Sequence, residues 1–106
     1  MVSVGDEYSV TAEELEPYAD LGSVDLSGAD LTEVDLSYTD MPNSDLSDAD
    51  CSDANLSVAD LQGASLVTAD LERADLSKAN LNEATLDGAD LNFADLSQAE
   101  CTDASL

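Results

Sequence analysis

The side chains that could do chemistry in this sequence are mostly carboxylates. Its 106 residues include 25 aspartates and glutamates, two lysines and arginines together, and no histidine, so the formal net charge is −23. Paired carboxylates can act as general acid and base, and clustered carboxylates can bind Ca²⁺. These carboxylates instead recur regularly along the chain, and histidine, the commonest general base and metal ligand, is missing. We therefore expect no catalytic residues, no cofactor and no metal site.

The same charge balance decides which partners the chain can bind. Two basic residues cannot neutralise the phosphates of a nucleic acid or hold the protein on an anionic membrane surface. Residues 1–18 contain neither the basic region nor the apolar run of a signal peptide, and no stretch is long enough to cross a bilayer. We expect a cytoplasmic protein that binds other proteins and makes no direct contact with nucleic acid or membrane.

The two cysteines give no sign of a metal or redox site. Cys51 and Cys101 lie 50 residues apart, outside any CxxC motif, in a chain without histidine. Zinc sites usually combine closely spaced cysteines with further cysteine or histidine ligands. We expect both cysteines to be small buried hydrophobic side chains.

A five-residue repeat runs from residue 19 to the end of the chain. Every fifth position, counted from Leu21, holds leucine in 15 of 18 repeats, and the exceptions are Met41, Cys51 and Cys101. The position two residues earlier holds alanine in 14 of 18 repeats, and the position between them holds Asp or Glu in 13 of 18. The other two positions are variable and mostly polar, so each repeat has two apolar positions and three polar ones.

This spacing fits neither a straight helix nor a flat strand. On an α-helix five residues advance by about 500°, so the leucines would spread around all sides. On a flat strand an odd period places alternate leucines on opposite faces. The pattern instead predicts a chain that bends at every repeat and points each leucine and alanine inward. Such coils stack through backbone hydrogen bonds and share one continuous core, as in a solenoid.

The motif A(D/N)LXX resembles the signature of the pentapeptide-repeat family, and the resemblance covers residues 19–106. It implies an all-β fold, a right-handed quadrilateral parallel β-helix with four repeats in each coil. On that geometry residues 19–106 form a β-helix of about 4.4 coils. The five-residue period by itself does not distinguish four sides from three.

The first 18 residues depart from the repeat, and we assign residues 1–18 to an N-terminal cap segment. The run Thr11–Glu14 has the pattern of a capping box, with Thr11 as N-cap and Glu14 at N3, which predicts one short helix. Because a solenoid needs covered ends, we expect apolar residues of this segment to close the first coil. These residues are Tyr8, Val10, Leu15 and Tyr18.

Four repeats per coil, as the resemblance implies, stack residues that are twenty positions apart. The candidate partner-binding surface is an unbroken acidic column made of Asp30, Asp50, Asp70 and Asp90. Like charges about 5 Å apart repel by roughly 0.8 kcal/mol even in bulk water. We expect this repulsion to raise the pKa of the crowded carboxyls and to make the protein more stable at high salt. Arg73 and Lys78 are expected to form surface ion pairs, for example with Glu72 or Asp75.

Two other surfaces are candidate contacts. Tyr38 and Val58 are outward apolar residues in one column of the four-sided coil, and we expect them to form an apolar contact with a partner. The C-terminal coil has no segment like the N-terminal cap and ends on an inward position, Leu106. Apolar surface and unpaired strand edges there predict an end-to-end homodimer through the C-terminal coil, or a chain that continues past Leu106.

These features favour a non-catalytic, acidic protein-binding or structural scaffold, with the acidity as an adaptation to a salt-rich cytoplasm. The alternative is a DNA mimic. The resemblance implies it, since several pentapeptide-repeat proteins occupy the DNA groove of type II topoisomerases such as DNA gyrase. Such a protein would bind that enzyme and inhibit or protect it. The close spacing of carboxylates along the predicted rod is the feature that both interpretations share.

Overall fold

The computed structural model describes residues 14–105. In this range every fifth residue, from Asp20 to Ser105, forms a β-bridge, and each bridge joins residues twenty positions apart in parallel. The strands within residues 14–105 are no longer than these single bridged residues, and the one helical residue there is Glu14, in 3₁₀ conformation. Twenty residues therefore make one coil, and four five-residue sides close it.

Each side ends in a tight turn, and nearly all of these turns share one hydrogen bond and one backbone conformation. In the repeat around Leu56, the backbone N–H of Ala59 donates to the Leu56 carbonyl at 3.2 Å, and the residue between, Val58, has a φ of 59°. A turn closed by this bond with positive φ at its third residue has the arrangement of a type II turn. The same position has positive φ throughout the coils, including at Gly28, Gly63 and Gly88.

Backbone hydrogen bonds join each side to the sides above and below it. In the repeat around Leu66, the N–H groups of Leu66 and Thr68 donate to the carbonyls of Thr85 and Asp87 in the next coil, at 2.7 and 2.9 Å. The Thr85 N–H donates back to the Ala64 carbonyl at 3.0 Å. This pattern satisfies most backbone groups of a short side without long strands.

The core consists of the leucine and alanine positions of the stacked coils. Leu66 is 0% exposed, and Met41 and Cys51 occupy leucine positions with the same complete burial. Two polar residues replace alanine, and each hydroxyl donates to a backbone carbonyl: Thr39 to Leu36 at 2.7 Å, and Ser44 to Leu21 at 3.2 Å. Across the described residues no buried side-chain nitrogen or oxygen lacks a hydrogen-bond partner.

At the N-terminal end the structure confirms one part of the predicted cap. Leu15 is buried and belongs to the core cluster. Tyr18 is 74% exposed and lies on the outer surface, so the prediction that it covers the first coil is wrong. Its backbone N–H donates to the Ser37 carbonyl at 3.1 Å, which makes Tyr18 part of the coil and sends its side chain outward. Tyr8, Val10 and the predicted helix before Glu14 lie outside the described residues.

At the C-terminal end the core positions are no longer covered. Leu96 is 37% exposed, and Leu91 is half-buried. Cys101 is exposed, so the prediction that both cysteines are buried holds for Cys51 and is wrong for Cys101. The reason is that no further coil stacks on this one within the described residues. Both thiols are free. Residues 14–105 include no helix long and apolar enough to cross a membrane.

Candidate functional site

The predicted acidic column forms one ladder on the outside of the β-helix. Parallel bridges join Asp30 to Asp50, Asp50 to Asp70, and Asp70 to Asp90. Asp30, Asp50 and Asp90 are exposed, and Asp70 is half-buried. Stacking of residues twenty positions apart, which the resemblance implied, therefore places these four carboxylates one above another. Whether a partner uses this ladder stays a prediction.

Each carboxylate of the ladder also accepts a hydrogen bond from the backbone of the turn that follows it. The Oδ1 atom of Asp30 accepts hydrogen bonds from the backbone N–H of Thr32 at 3.1 Å and from its hydroxyl at 2.7 Å. Asp50 accepts the corresponding pair from Ser52, at 3.1 and 2.7 Å. Asp70 and Asp90 accept the backbone N–H two residues on, each at 3.0 Å. The acidic column thus satisfies corner N–H groups as well as carrying charge.

This side-chain turn occurs on other sides of the coil too, where an Asp or Asn at the bridged position is followed two residues later by Ser. The additional pairs are Asp25–Ser27, Asp35–Ser37, Asp45–Ser47, Asn55–Ser57, Asp75–Ser77 and Asp95–Ser97. Asx side chains commonly bond backbone groups two residues on. Asn55 shows that the turn requires the Oδ1 acceptor and not the charge. Sequence reasoning missed this role, although the recurring Asp-Leu-Ser triplets were its signal.

These bonds reverse the predicted pKa shift at Asp30. The Thr32 hydroxyl and then the Thr32 backbone N–H hold the pKa of the Asp30 carboxyl below its ordinary value. The pKa values of Asp25, Asp35 and Asp95 are lowered in the same way by the serine two residues on. Hydrogen bonds to the charged form outweigh the opposing effect of burial on these pKa values. The prediction of raised pKa values is therefore wrong for Asp30.

One of the two basic residues neutralises part of the face that carries the acidic column. Arg73 donates two hydrogen bonds to Asp53 of the preceding coil, from Nε to Oδ1 at 2.8 Å and from Nη2 to Oδ2 at 3.0 Å. The predicted pair with Glu72 also forms, at 3.4 Å from Nη1. The hydrogen bond from Arg73 is the main cause that lowers the pKa of Asp53. Lys78 makes no ion pair within residues 14–105, so its predicted pair with Asp75 is wrong.

The predicted apolar residues lie on a different corner, next to a residue that sequence reasoning assigned elsewhere. Tyr38 and Val58 are 49% and 36% exposed, at the positive-φ position of successive coils. Tyr18 occupies that position one coil earlier, and its ring stacks on the Tyr38 ring with centroids 4.8 Å apart and planes 12° apart. Counting back twenty residues from Tyr38 would have found it.

The outward carboxylates do not converge on a metal site. Among the described residues no group of three or more Asp, Glu or Cys side chains is arranged to hold a metal ion. Inward positions are filled by leucine and alanine through most of the coils. What the arrangement offers chemically is a regular, outward-facing surface of hydrogen-bond acceptors and charge, with two stacked tyrosines at one of its corners.

The repeat itself is matched by the family model for pentapeptide repeats, with 8 copies over residues 18–48, 49–88 and 74–106. These ranges cover more than half of the chain. The chain is a member of the pentapeptide-repeat family. Among curated proteins, none matches it.

Solved structures of other members share the fold of this pentapeptide-repeat protein. Rfr23 from the cyanobacterium Cyanothece 51142 is 33% identical with a TM-score of 0.83, over 84% of this chain and 61% of that one. HetL from Nostoc sp. strain PCC 7120, a protein involved in heterocyst differentiation regulation, is 44% identical with a TM-score of 0.74, over 77% and 38%. The protein alr5209 from Nostoc PCC 7120 is 40% identical with a TM-score of 0.61, over 73% and 60%.

These neighbours are right-handed β-helices, so the predicted handedness and fold class are confirmed for this pentapeptide-repeat protein. The chain spans between 38% and 61% of the length of the three structures. The likeness therefore establishes the family and the fold.

Proposed function

We propose that this pentapeptide-repeat protein is a non-catalytic acidic scaffold that binds a positively charged protein surface along the outside of its β-helix. The observation that carries the proposal is the ladder Asp30–Asp50–Asp70–Asp90, which repeats one carboxylate per coil over three parallel bridges. The core is filled with leucine and alanine, so recognition falls to the outward positions. A net charge of −23 favours a cationic partner and steers its approach.

The acidity also suits a protein that works at high ionic strength. Salt at 1 M shortens the range of charge repulsion to about 3 Å, less than the spacing of neighbouring strands. Hydrated carboxylates then keep the surface soluble at little electrostatic cost. We include this adaptation in the proposal, with the bound partner held by short-range contacts as well as by charge.

The test is to change charge without changing shape. Asn55 keeps the corner turn with an amide oxygen, so Asp50→Asn together with Asp70→Asn removes two charges and retains both acceptors. The matched control is Asp75→Asn with Asp95→Asn, two bridged residues on another side whose corner turns the amide oxygen likewise retains. Binding of an eight-residue oligolysine peptide is measured by calorimetry at 0.15 M KCl.

We expect the column variant to weaken oligolysine binding more than the control does, because its two carboxylates lie between others in the same ladder. Equal weakening by both variants would show that only the net charge matters and that the column is not a contact surface. Unchanged binding in both would contradict the scaffold proposal itself.

A second candidate is a DNA mimic that binds a type II topoisomerase such as DNA gyrase. The feature that favours it is charge spacing: 20 acidic residues fall within residues 19–106. Spread over 4.4 coils at a strand spacing of about 4.8 Å, they give about one acidic residue per ångström of rod. Duplex DNA carries one charge per about 1.7 Å. Gyrase supercoiling is measured with and without the protein at matched ionic strength; inhibition or protection supports mimicry, and unchanged supercoiling refutes it.

We also propose end-to-end pairing of two copies through the C-terminal coil. Leu96 and Cys101 both occupy core positions of this coil and are exposed, Leu96 by 37%. Like charge on both copies opposes pairing, so the dimer should form at 1 M KCl and dissociate at low salt. Sedimentation across a concentration series at both salts tests this. A monomer at every concentration in 1 M KCl would contradict the pairing.

A further inference from the structure

The stacked pair Tyr18–Tyr38 is unusual in a chain with three tyrosines, one phenylalanine and no tryptophan. The two ring centroids lie 4.8 Å apart, and the rings are nearly parallel at 12°. Tyr18 is 74% exposed, and Tyr38 is 49% exposed, so much of the pair faces solvent. The pair therefore presents an open aromatic surface on the outside of the first two coils.

The positions of both tyrosines indicate that the core does not require them. Their φ angles are 68° and 63°, a region that glycine or asparagine adopts more readily than a bulky side chain. Other corners carry Ser23, Gly28 and Asn43 at the same place in the turn.

We propose that the Tyr18–Tyr38 pair is the anchor for an arginine side chain of a partner protein. This inference rests on the proposed function and names the chemistry of the partner. A guanidinium is planar, stacks on aromatic rings and is less strongly hydrated than an ammonium. The net charge of −23 supplies the complementary field, and tyrosine and arginine are both enriched among residues that dominate binding energy.

The residues around the pair fit this occupant. Glu16, Asp20 and Asp40 are exposed and lie two residues from one of the tyrosines, where they can accept hydrogen bonds from a guanidinium. Val58 is the next residue up this corner and offers apolar surface to the alkyl stem of the arginine. Lys78 follows one coil further and repels a cation. The site therefore spans the corner from Tyr18 to Val58.

The experiment compares two short peptides of equal charge, one alternating glycine with arginine and one alternating glycine with lysine. Ring proton shifts of the full chain are followed by NMR at a fixed 0.05 M KCl. We expect the arginine peptide to bind about two- to five-fold more tightly than the lysine peptide. It should shift the ring signals of Tyr18 and Tyr38 and leave those of Phe93, an exposed aromatic at the same turn position, unchanged.

Variants separate stacking from folding. Tyr18→Leu with Tyr38→Leu should abolish the preference for arginine and leave lysine-peptide binding unchanged. Tyr18→Phe with Tyr38→Phe retains the rings and should retain the preference, and Phe93→Leu should have no effect. Thermal denaturation confirms that each variant is folded.

The outcomes distinguish this inference from the proposed function. Equal affinity for both peptides, or an arginine preference that survives the double leucine substitution, would overturn the arginine site and leave the acidic scaffold intact. If neither peptide binds, both the arginine site and the cationic partner are refuted. Tighter binding of an uncharged leucine-containing peptide of equal length would show that the corner recognises apolar surface instead.

Discussion

Two segments of this protein have the same local sequence and a different environment. Ala74-Asp75-Leu76-Ser77 lies inside the stack, and Ala94-Asp95-Leu96-Ser97 lies in the last coil. Both aspartates accept the backbone N–H of the following serine at 2.9 Å, and both leucine carbonyls accept the turn bond at 3.0 Å. Yet Leu76 is 0% exposed, and Leu96 is 37% exposed.

The difference in exposure between Leu76 and Leu96 arises from the presence or absence of a further coil stacked on each. The Leu76 N–H donates to the Asp95 carbonyl at 2.7 Å, so the last coil covers the one before it. Nothing in residues 14–105 covers the last coil in turn. The comparison shows that a pentapeptide makes its own corner from its sequence, whereas the next coil determines whether its leucine is buried.

The two cysteines extend this comparison and should show its largest effect. Burial, and then the charges of Asp50 and Asp70, raise the pKa of the Cys51 thiol to about 12, while Cys101 is exposed. At pH 8 only about one Cys51 in ten thousand is thiolate, which is the reactive form. We expect the Cys101 thiol to react rapidly with a disulfide reagent. The Cys51 thiol should react at least about a thousandfold more slowly until the protein unfolds. The single variants assign the two rates: Cys51→Ser retains the exposed thiol, and Cys101→Ser retains the buried one. A rapid reaction of native Cys101→Ser would contradict the burial of Cys51.

Truncating the matched leucines should separate the two segments next. Leu76→Ala leaves a cavity in a closed core and should reduce the free energy of unfolding by about 2–5 kcal/mol. Leu96→Ala should cost less than half as much, because that side chain is already partly solvated and its site can relax. Urea denaturation of both variants measures the difference. Equal losses would mean that the last coil is covered in solution, as an end-to-end dimer would cause.

Replacing the corner aspartate tests the part that the two segments share. Asp75→Ala removes the acceptor for the Ser77 backbone N–H and hydroxyl, and by analogy with helix N-caps should cost about 1 kcal/mol. Asp75→Asn keeps the acceptor, as Asn55 does, and should be close to neutral. Thermal unfolding compares the two. If Asn is as damaging as Ala, the charge and not the hydrogen bond stabilises the corner.

Salt dependence should distinguish the interior of the acidic column from its end. Asp50 has a ladder neighbour on both sides, Asp30 and Asp70, whereas Asp90 has one. Asp50→Asn should therefore relieve more repulsion than Asp90→Asn at 0.01 M KCl. At 1 M KCl the two variants should match the parent, since the repulsion is screened. Identical behaviour of both variants at low salt would place the repulsion outside the ladder.

Acid should reduce the stability of the corners at Asp35 and Asp95 alike, because in each the hydrogen bonds to the carboxylate come from the serine two residues on. The serine two residues on lowers the folded pKa of both Asp35 and Asp95 below the ordinary 3.8. A carboxyl whose folded pKa is lowered stabilises the protein above the unfolded pKa, and this stability is lost as pH falls through the folded pKa. Unfolding free energies between pH 6 and pH 2 should therefore decrease below about pH 4. Asp35→Asn and Asp95→Asn should each weaken this decrease. A steady gain in stability in acid would favour relief of repulsion instead.

Much of the fold could be predicted because one period recurs without interruption. Leucine at every fifth residue excludes a straight helix and a flat strand, so the chain must bend and stack. The number of sides could not be obtained from the period, because three sides would also bend; it came from the family resemblance, and the bridges between residues twenty apart establish it. The ladder of the acidic column followed from that count.

The candidate site was harder to predict because the sequence reasoning treated outward positions as separate from the backbone. The turn from Asp30 to Thr32 is local and short triplets encode it, but the charge of a carboxylate alone predicts repulsion and not the hydrogen bonds that it accepts. Tyr18 was assigned to the cap, since its preceding residues do not follow the repeat. Its stacking on Tyr38 depends on registry between coils.

The sequence by itself determined the corner. An inward leucine, a small residue two positions before it and an Asx acceptor between them define a turn whose bonds span five residues or fewer. Only the tertiary structure decided which of those corners are buried, which thiol is protected and which aromatic rings meet. Those properties depend on residues twenty positions away in the next coil, and a short side cannot bury its apolar face until that coil is in place.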